Sequence, residues 1–339
     1  MDLNTVWFVL VGVLLTGYAV LDGFDLGTGP LLLCTAKDRD RRILLNAIGP
    51  IWNGNEVWLV TGGGALFAAF PGVYATVFSG FYDAFMLLLS ALIFRAAAIE
   101  FRSQRDEPRW RRTWDVVFSV SSLISALLIG VAIGNVVWGI PLDHKHDFQG
   151  NLLSLLNPYA LLVGITSVAL MVMHGNLYLI LKTEGPLREQ LRRWTHRTVP
   201  IYLFCFLFLN VVTILTGQHL KQHIQDRRSL LAALFIAGLA ATFNILREVK
   251  QGREVRAFVS SCLSIVIMMA LFAATVYPNL VISRPDLANS LGIYNSSSTA
   301  KSLQFMFWVA VVGVPIVLAY TVSIYYVFRG KVALTEESY

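Results

Sequence analysis

The sequence predicts an all-α, polytopic integral membrane protein of about nine transmembrane helices. They are expected to form two four-helix bundles plus one extra helix, with the N-terminus outside and the C-terminus cytoplasmic. Three observations predict this. Of 339 residues, 56% are hydrophobic and only 14% charged, whereas a soluble domain carries roughly 25% charged residues. With a mean hydropathy of +0.62, the chain lacks the polar side chains to cover a water-facing surface of its own size. Its apolar residues fall in runs long enough to cross roughly 30 Å of hydrocarbon, without the roughly ten-residue alternating segments of a membrane barrel. Lys and Arg, finally, are dense and sparse in alternate loops between those runs.

The first span, 5–33, follows Met1-Asp2 with no basic n-region and is too long for a signal-peptide core, so it is expected to be retained. It contains Gly23-x-x-x-Gly27, a spacing that lets helices approach closely, and Gly29-Pro30, whose proline disturbs the last turn. The second span, 48–70, opens with Trp52, Asn53, Asn55 and Glu56 and holds Gly62-Gly63-Gly64. The third, 73–101, carries Arg95 and Glu100 towards its end, and the fourth, 114–138, begins at Asp115 and contains Gly130-x-x-x-Gly134. These small-residue stripes predict that the first four helices pack tightly on one another. Further spans follow at 156–181, 197–217, 230–247, 256–278 and 303–328.

The expected organisation is a first bundle at 1–138, a second at 139–278, and an outer loop, ninth helix and cytoplasmic tail at 279–339. A faint repeat at a shift of 152 residues supports it, placing Asp22-Gly23 on His174-Gly175 and Arg95 on Arg247. Four spans separate the copies, so the repeat is parallel. Twenty of the 27 Lys and Arg lie in loops after odd-numbered spans or in the tail, six lie on the opposite side, and Arg95 lies inside a span. The net charge of +6 and pI near 9.3 therefore express the positive-inside rule rather than a nucleic-acid surface. Cys34, Cys205 and Cys262 are far apart, with no C-x-x-C spacing, and point to neither a disulfide framework nor a metal site.

An ionised side chain at the centre of a membrane helix costs about 2.5–3.5 kcal/mol on insertion scales, so each needs a partner, a cavity or a task. Here Asp22, Asp25, Asn53, Glu56, Arg95, Glu100 and Asp115 converge on the cytoplasmic half of the first four spans. Asp22 and Asp25, three apart, share a helix face, as do Asn53 and Glu56. One reading is a buried ion-pair network in which Arg95 neutralises Asp25 or Asp115. The other is a proton or ion path open to the cytoplasm, with Asp22, Asp25, Glu56 and Asn53 as its candidates. Carboxylates outnumber the lone Arg, so at least one is expected to be protonated or hydrated. Trp52 and Trp58 flank the polar turn as candidates for packing against a partner or cofactor, whereas Trp7, Trp110, Trp114 and Trp138 sit at span ends as interfacial anchors.

A membrane haem takes axial ligands from spans, but only His174 lies within one. The chain is thus expected to bind neither haem nor metal by itself. A proton-coupled membrane transporter is the alternative from the residues alone. Inverted repeats and helices broken near the midplane would be expected of it, whereas this repeat is parallel and the acids lie near one face.

The chain also carries Gly17-Tyr-Ala-Val-Leu-Asp-Gly-Phe-Asp-Leu-Gly27, then Arg41-Arg42 followed by Gly49-Pro-Ile-Trp-Asn-Gly-Asn-Glu-Val-Trp-Leu59, then Gly63-Gly-Ala-Leu-Phe-Ala-Ala-Phe-Pro71. With Phe78-Ser-Gly-Phe-Tyr82, Phe94-Arg95, Trp114-Asp115, Asn157-Pro158 and Lys182-Thr-Glu-Gly185, it resembles the second subunit of the cytochrome bd family of quinol oxidases. The motifs reach residue 185; beyond it the match is in hydropathy and span number. The resemblance implies a subunit of a quinol:dioxygen oxidoreductase in a bacterial inner (cytoplasmic) membrane, taking its protons from the cytoplasm. It implies that this chain is not catalytic alone, but supports assembly and haem retention and supplies part of a proton path. Haem b and haem d, or b-type haem only, and the quinol site would belong to a haem-bearing subunit I. A structural quinone, membrane lipid and a small accessory subunit are further implied companions. Asp25, Arg95 and Asp115 fall on family positions held to matter for the haem environment, with Glu100 and Trp52 grouped beside them as support. Many members have Asp, a supposed proton-uptake group, where this chain has Asn53. Asn cannot carry a proton on and off, so Glu56, one turn along, is expected to take that role.

Overall fold

The computed structural model describes residues 2–334. Asp2 caps α1 (Leu3–Leu21) by accepting from the Thr5 amide at 2.8 Å. The first expected span then breaks at Asp22 and resumes as α2 (Gly23–Leu33). An unexpected α3 (Asp38–Ile48) follows. It is amphipathic, charged in its first turns and buried at Leu44, Leu45, Ala47 and Ile48, so a search for long apolar runs passes over it. Next come α4 (Trp52–Ala69), α5 (Pro71–Gly80) and α6 (Tyr82–Phe101). The third expected span is therefore two helices broken at Phe81. Pro71 starts α5 because a proline at the first helical position forfeits no hydrogen bond.

The chain continues through α7 (Pro108–Trp138), the single turn α8 (Leu152–Leu155), α9 (Pro158–Lys182), α10 (Gly185–Thr216) and the short α11 (Lys221–Asp226). After α12 (Arg228–Lys250) and α13 (Glu254–Val276), β1 (Asn279–Val281) and β2 (Leu291–Gly292) form a small antiparallel pair, and α14 (Ala300–Val327) ends the fold. Helix α10 begins twelve residues before the expected position, because basic turns with Arg188, Arg192, Arg193 and Arg197 prolong it over buried Leu187 and Leu191. His196, expected to lie outside the spans, consequently lies within this helix and is exposed.

Among the described residues, eight helical segments are long and apolar enough to cross a membrane by length and composition. They are α1 with α2, then α6, α7, α9, α10, α12, α13 and α14. The expected nine becomes eight by this measure. Helix α4 is just long enough but drops out because Asn53, Asn55 and Glu56 in its opening turns lower its mean hydropathy.

Two close crossings set the architecture. At Gly27 a Cβ would run into the Met171 carbonyl, and on the facing helix a Cβ at Gly175 would come within 2.8 Å of the Phe24 carbonyl, so α2 and α9 meet backbone to backbone. Gly130 and Gly134 of α7 lie against Gly164 and Ala160 of α9. This corrects the expectation that the stripe on the fourth span faces the first three. Small-residue spacing reveals that a helix has a close-approach face, not which helix it meets. The two largest apolar cores lie around Phe24, Leu177 and Ile245 and around Trp7, Phe70, Phe81 and Val281.

Candidate functional site

The break at Asp22 builds the site. The α1 carbonyl of Val20 accepts instead from His174 Nε2 of α9 at 2.9 Å, while His174 Nδ1 meets Ser261 Oγ of α13 at 2.7 Å. Both ring nitrogens of His174 are thus committed to helix contacts.

At the break, Asp22 takes Arg95 of α6 in a two-pronged grip, Nη1 to Oδ2 at 2.8 Å and Nη2 to Oδ1 at 2.5 Å. Both side chains are fully buried. Such bidentate, charge-assisted pairs are stronger than neutral hydrogen bonds and fix geometry as well. Glu56 Oε1 of α4 lies 3.3 Å from the same Nη2, and the Glu56 side chain is 25% exposed, so this residue is the member of the trio through which the cluster reaches the surface. Asp25, also fully buried, accepts from Asn55 Nδ2 at 2.7 Å. The Asn55 Oδ1 in turn accepts from the Tyr325 hydroxyl of α14 at 2.8 Å. Asp25 Oδ1 has no hydrogen-bond partner among the described residues.

Arg95 therefore pairs with Asp22 and Glu56, not with Asp25 or Asp115 as expected. Asp22 and Asp25 are only three positions apart, yet the break turns the first towards α6 and the second towards α4, where Asn55 carries the link on to α14. Asp115 belongs to a second cluster. It is held by Arg102 Nε at 2.6 Å and Arg41 Nη1 at 3.1 Å. Arg102 also reaches Asp38 at 2.6 Å, and Arg111 spans Asp38 at 3.0 Å and Asp106 at 2.5 Å. These pairs fasten α3 to the turn between α6 and α7. Burial alone would raise the Asp38 carboxyl, but its hydrogen bond to Arg102 and the charges of Arg102 and Arg111 hold it below the usual carboxylate range.

The expectation of one lone arginine also gives way, since Arg102 is buried as fully as Arg95. Its position could have been read from the sequence, because it lies seven residues after Arg95 and continues the same helix face. Glu100 lies on the exposed side of α6, and Asn53 is exposed beside Glu56. Trp52 packs, half-buried, against the apolar core. Asn55 and Tyr325 were missed as site residues, and no local signal links Tyr325 to a carboxylate 300 positions earlier.

Chemically, the first cluster is a graded set of carboxylates. Asp22 is locked as an ion by Arg95, Glu56 shares that cation while touching the surface, and Asp25 is held by a neutral amide alone. A set of this kind can accept a proton at Glu56 and pass it inward.

The sequence pattern of the family described as cytochrome bd terminal oxidase subunit II matches residues 3–328. The chain is 35% identical over 360 residues to the cytochrome bd-I ubiquinol oxidase subunit 2 of Escherichia coli (strain K12), an alignment covering 97% of this chain and 95% of that one. It is 32% identical over 337 residues to the cytochrome bd ubiquinol oxidase subunit 2 of Bacillus subtilis (strain 168), covering 99% and 98%. A solved structure of the bd oxidase from Geobacillus thermodenitrificans superimposes with a TM-score of 0.79 over 97% of this chain and 98% of that one, at 16% identity, which is a likeness of fold.

Proposed function

The chain belongs to the cytochrome bd terminal oxidase subunit II family, and from that premise we propose that it works beside a haem-bearing subunit I in the inner membrane of a bacterium. The enzyme oxidises quinol and reduces dioxygen to water, and this chain supplies part of the route by which protons arrive. The observation that carries the reading is the near-full-length match to oxidase second subunits. Its residue-level support is the buried Arg95–Asp22 pair with Glu56 leading from it to the surface. The haems, b with d or b alone, belong to the partner, and the end rich in Lys and Arg faces the cytoplasm. A transporter is the poorer reading, because this chain matches two oxidase second subunits along almost their whole length.

Purification tests this directly. The chain is expected to emerge with an equal amount of a haem-rich partner, and to show no Soret band when expressed alone. A stable, haem-free chain that purifies without a partner and moves a solute would overturn the assignment.

Within the complex, Glu56→Gln keeps shape and hydrogen bonding but abolishes proton exchange. It is expected to slow dioxygen reduction by at least about tenfold, modest beside the usual contribution of a positioned proton-transfer group, while haem content stays unchanged. Turnover at the wild-type rate would move proton uptake to the partner subunit.

A further inference from the structure

Helix α14 buries only Leu303 among its 28 residues, yet near its end Tyr325 turns inward to the site. Its ring meets Phe24 edge-on, with centroids 6.5 Å apart, and its hydroxyl reaches Asn55. The end of the helix is fastened by two lysines that exchange contacts. Lys182, at the end of α9, donates Nζ to the carbonyls of Phe328 and Gly330. Lys331 donates back to the carbonyls of Thr183 at 3.0 Å and Ile180 at 3.4 Å. The Val332 amide closes the clasp on the Lys182 carbonyl at 2.9 Å. Lysines suit such places because the last carbonyls of a helix have no partner within it.

We propose that Tyr325 is a positioning residue that keeps the Asn55 amide bonded to Asp25 in both protonation states of that carboxyl, with the Lys182–Lys331 clasp holding Tyr325 in place. The inference rests on the reading of Asp25 as a proton-path group. An amide has a donor end and an acceptor end, whereas a phenol hydroxyl can serve as either. With Asp25 ionised, the observed arrangement applies: Tyr325 donates to Oδ1 and Nδ2 donates to the carboxylate. When a proton arrives on Asp25, its O–H donates to Oδ1 of an amide turned half way round, and Nδ2 donates to the Tyr325 oxygen. No proton passes to the phenol, and every polar atom of the amide's inner edge stays paired. Asn55 is buried, so a phenylalanine at 325 would leave one end of the amide unpaired in either state, which carries a full desolvation penalty.

Other groups face Asp25 but cannot replace this contact. Asp22 and Arg95 are bound to each other, and Glu56 shares that arginine. Tyr178 of α9 is within electrostatic reach but donates its hydroxyl to the Ala47 carbonyl at 2.9 Å. Cys262 of α13 lies within electrostatic reach of Tyr325.

The test uses the purified holo-oxidase. Tyr325→Phe is expected to retain wild-type haem content and quinol KM, while its pH–turnover profile moves by about one pH unit, the scale of one buried hydrogen bond. The infrared carboxyl absorption that disappears in Asp25→Asn should shift its pH midpoint equally. Lys331→Met should reproduce a smaller displacement and Lys331→Arg should cancel it. Those two variants decide the matter if Tyr325→Phe fails to assemble. A pH profile and infrared midpoint superimposable on the wild type in Tyr325→Phe, or in Lys331→Met where only that variant assembles, would overturn the assignment. Should Asp25→Asn itself turn over normally at every pH, the proton role of Asp25 falls, and the infrared midpoint still decides what Tyr325 does.

Discussion

Replacing Arg95 by leucine is expected to reduce the assembled, haem-containing complex in the membrane to less than about a tenth of its wild-type level. Arg95 is wholly buried and holds Asp22 with two hydrogen bonds and Glu56 with a third contact. Leucine fills much of its volume but leaves the Asp22 carboxylate buried without a counter-charge. Breaking a buried pair from one side costs about 3–5 kcal/mol, more than the pair itself contributes, because the abandoned charge has nowhere to go. That is a large fraction of the roughly 5–15 kcal/mol by which folded proteins are stable. The same reasoning identifies the rescue. Arg95→Leu combined with Asp22→Asn should restore part of the complex, whereas Arg95→Leu combined with Asp115→Asn should not, since Asp115 is bound by Arg102 and Arg41. Haem per milligram of membrane protein reads all three variants. Normal accumulation of Arg95→Leu would show that Asp22 is not ionised in the folded protein.

The second large effect needs only one carbon atom. Gly27→Ala should abolish accumulation, while Gly12→Ala should be silent, although the chemical change is identical and both residues lie along the first span. A Cβ at Gly27 would occupy the space of the Met171 carbonyl, whereas at Gly12 nothing lies within 4 Å. The helix opposite cannot yield, because its own Gly175 is pressed against α2 at the same crossing. Interiors packed to this density do not absorb an added methyl without moving backbone. Immunodetection in membranes from the two strains gives the comparison, and equal amounts would show that the crossing is looser than drawn.

The class of fold and most spans were legible because run length and basic-residue asymmetry depend on local composition. The residues gathered near Asp22 were legible as well, since intramembrane charge is rare and each instance asks for a partner. What could not be read was the pairing. Arg95 had five acids at plausible depth, and the helix break at Asp22, which selects among them, is bridged by His174 and Ser261 from two distant helices. Helix α3 escaped because its apolar residues are spaced for one face instead of a continuous run. Arg102 escaped because a loop assignment hid its continuation of α6. Tyr325 was beyond reach for a simpler reason: contact across 270 residues from Asn55 leaves no periodicity to detect.

The placement of Tyr325 also gives the molecule an order of events. Chains emerge from the ribosome N-terminus first, so Asp22, Asp25, Asn55, Glu56 and Arg95 are all in the membrane long before α14 is made. The ion pair can close early, whereas the amide beside Asp25 waits for α14 and for the lysine clasp that follows it. A chain cut short before Tyr325 would hold its charges correctly and still lack the hydroxyl that bonds Asn55.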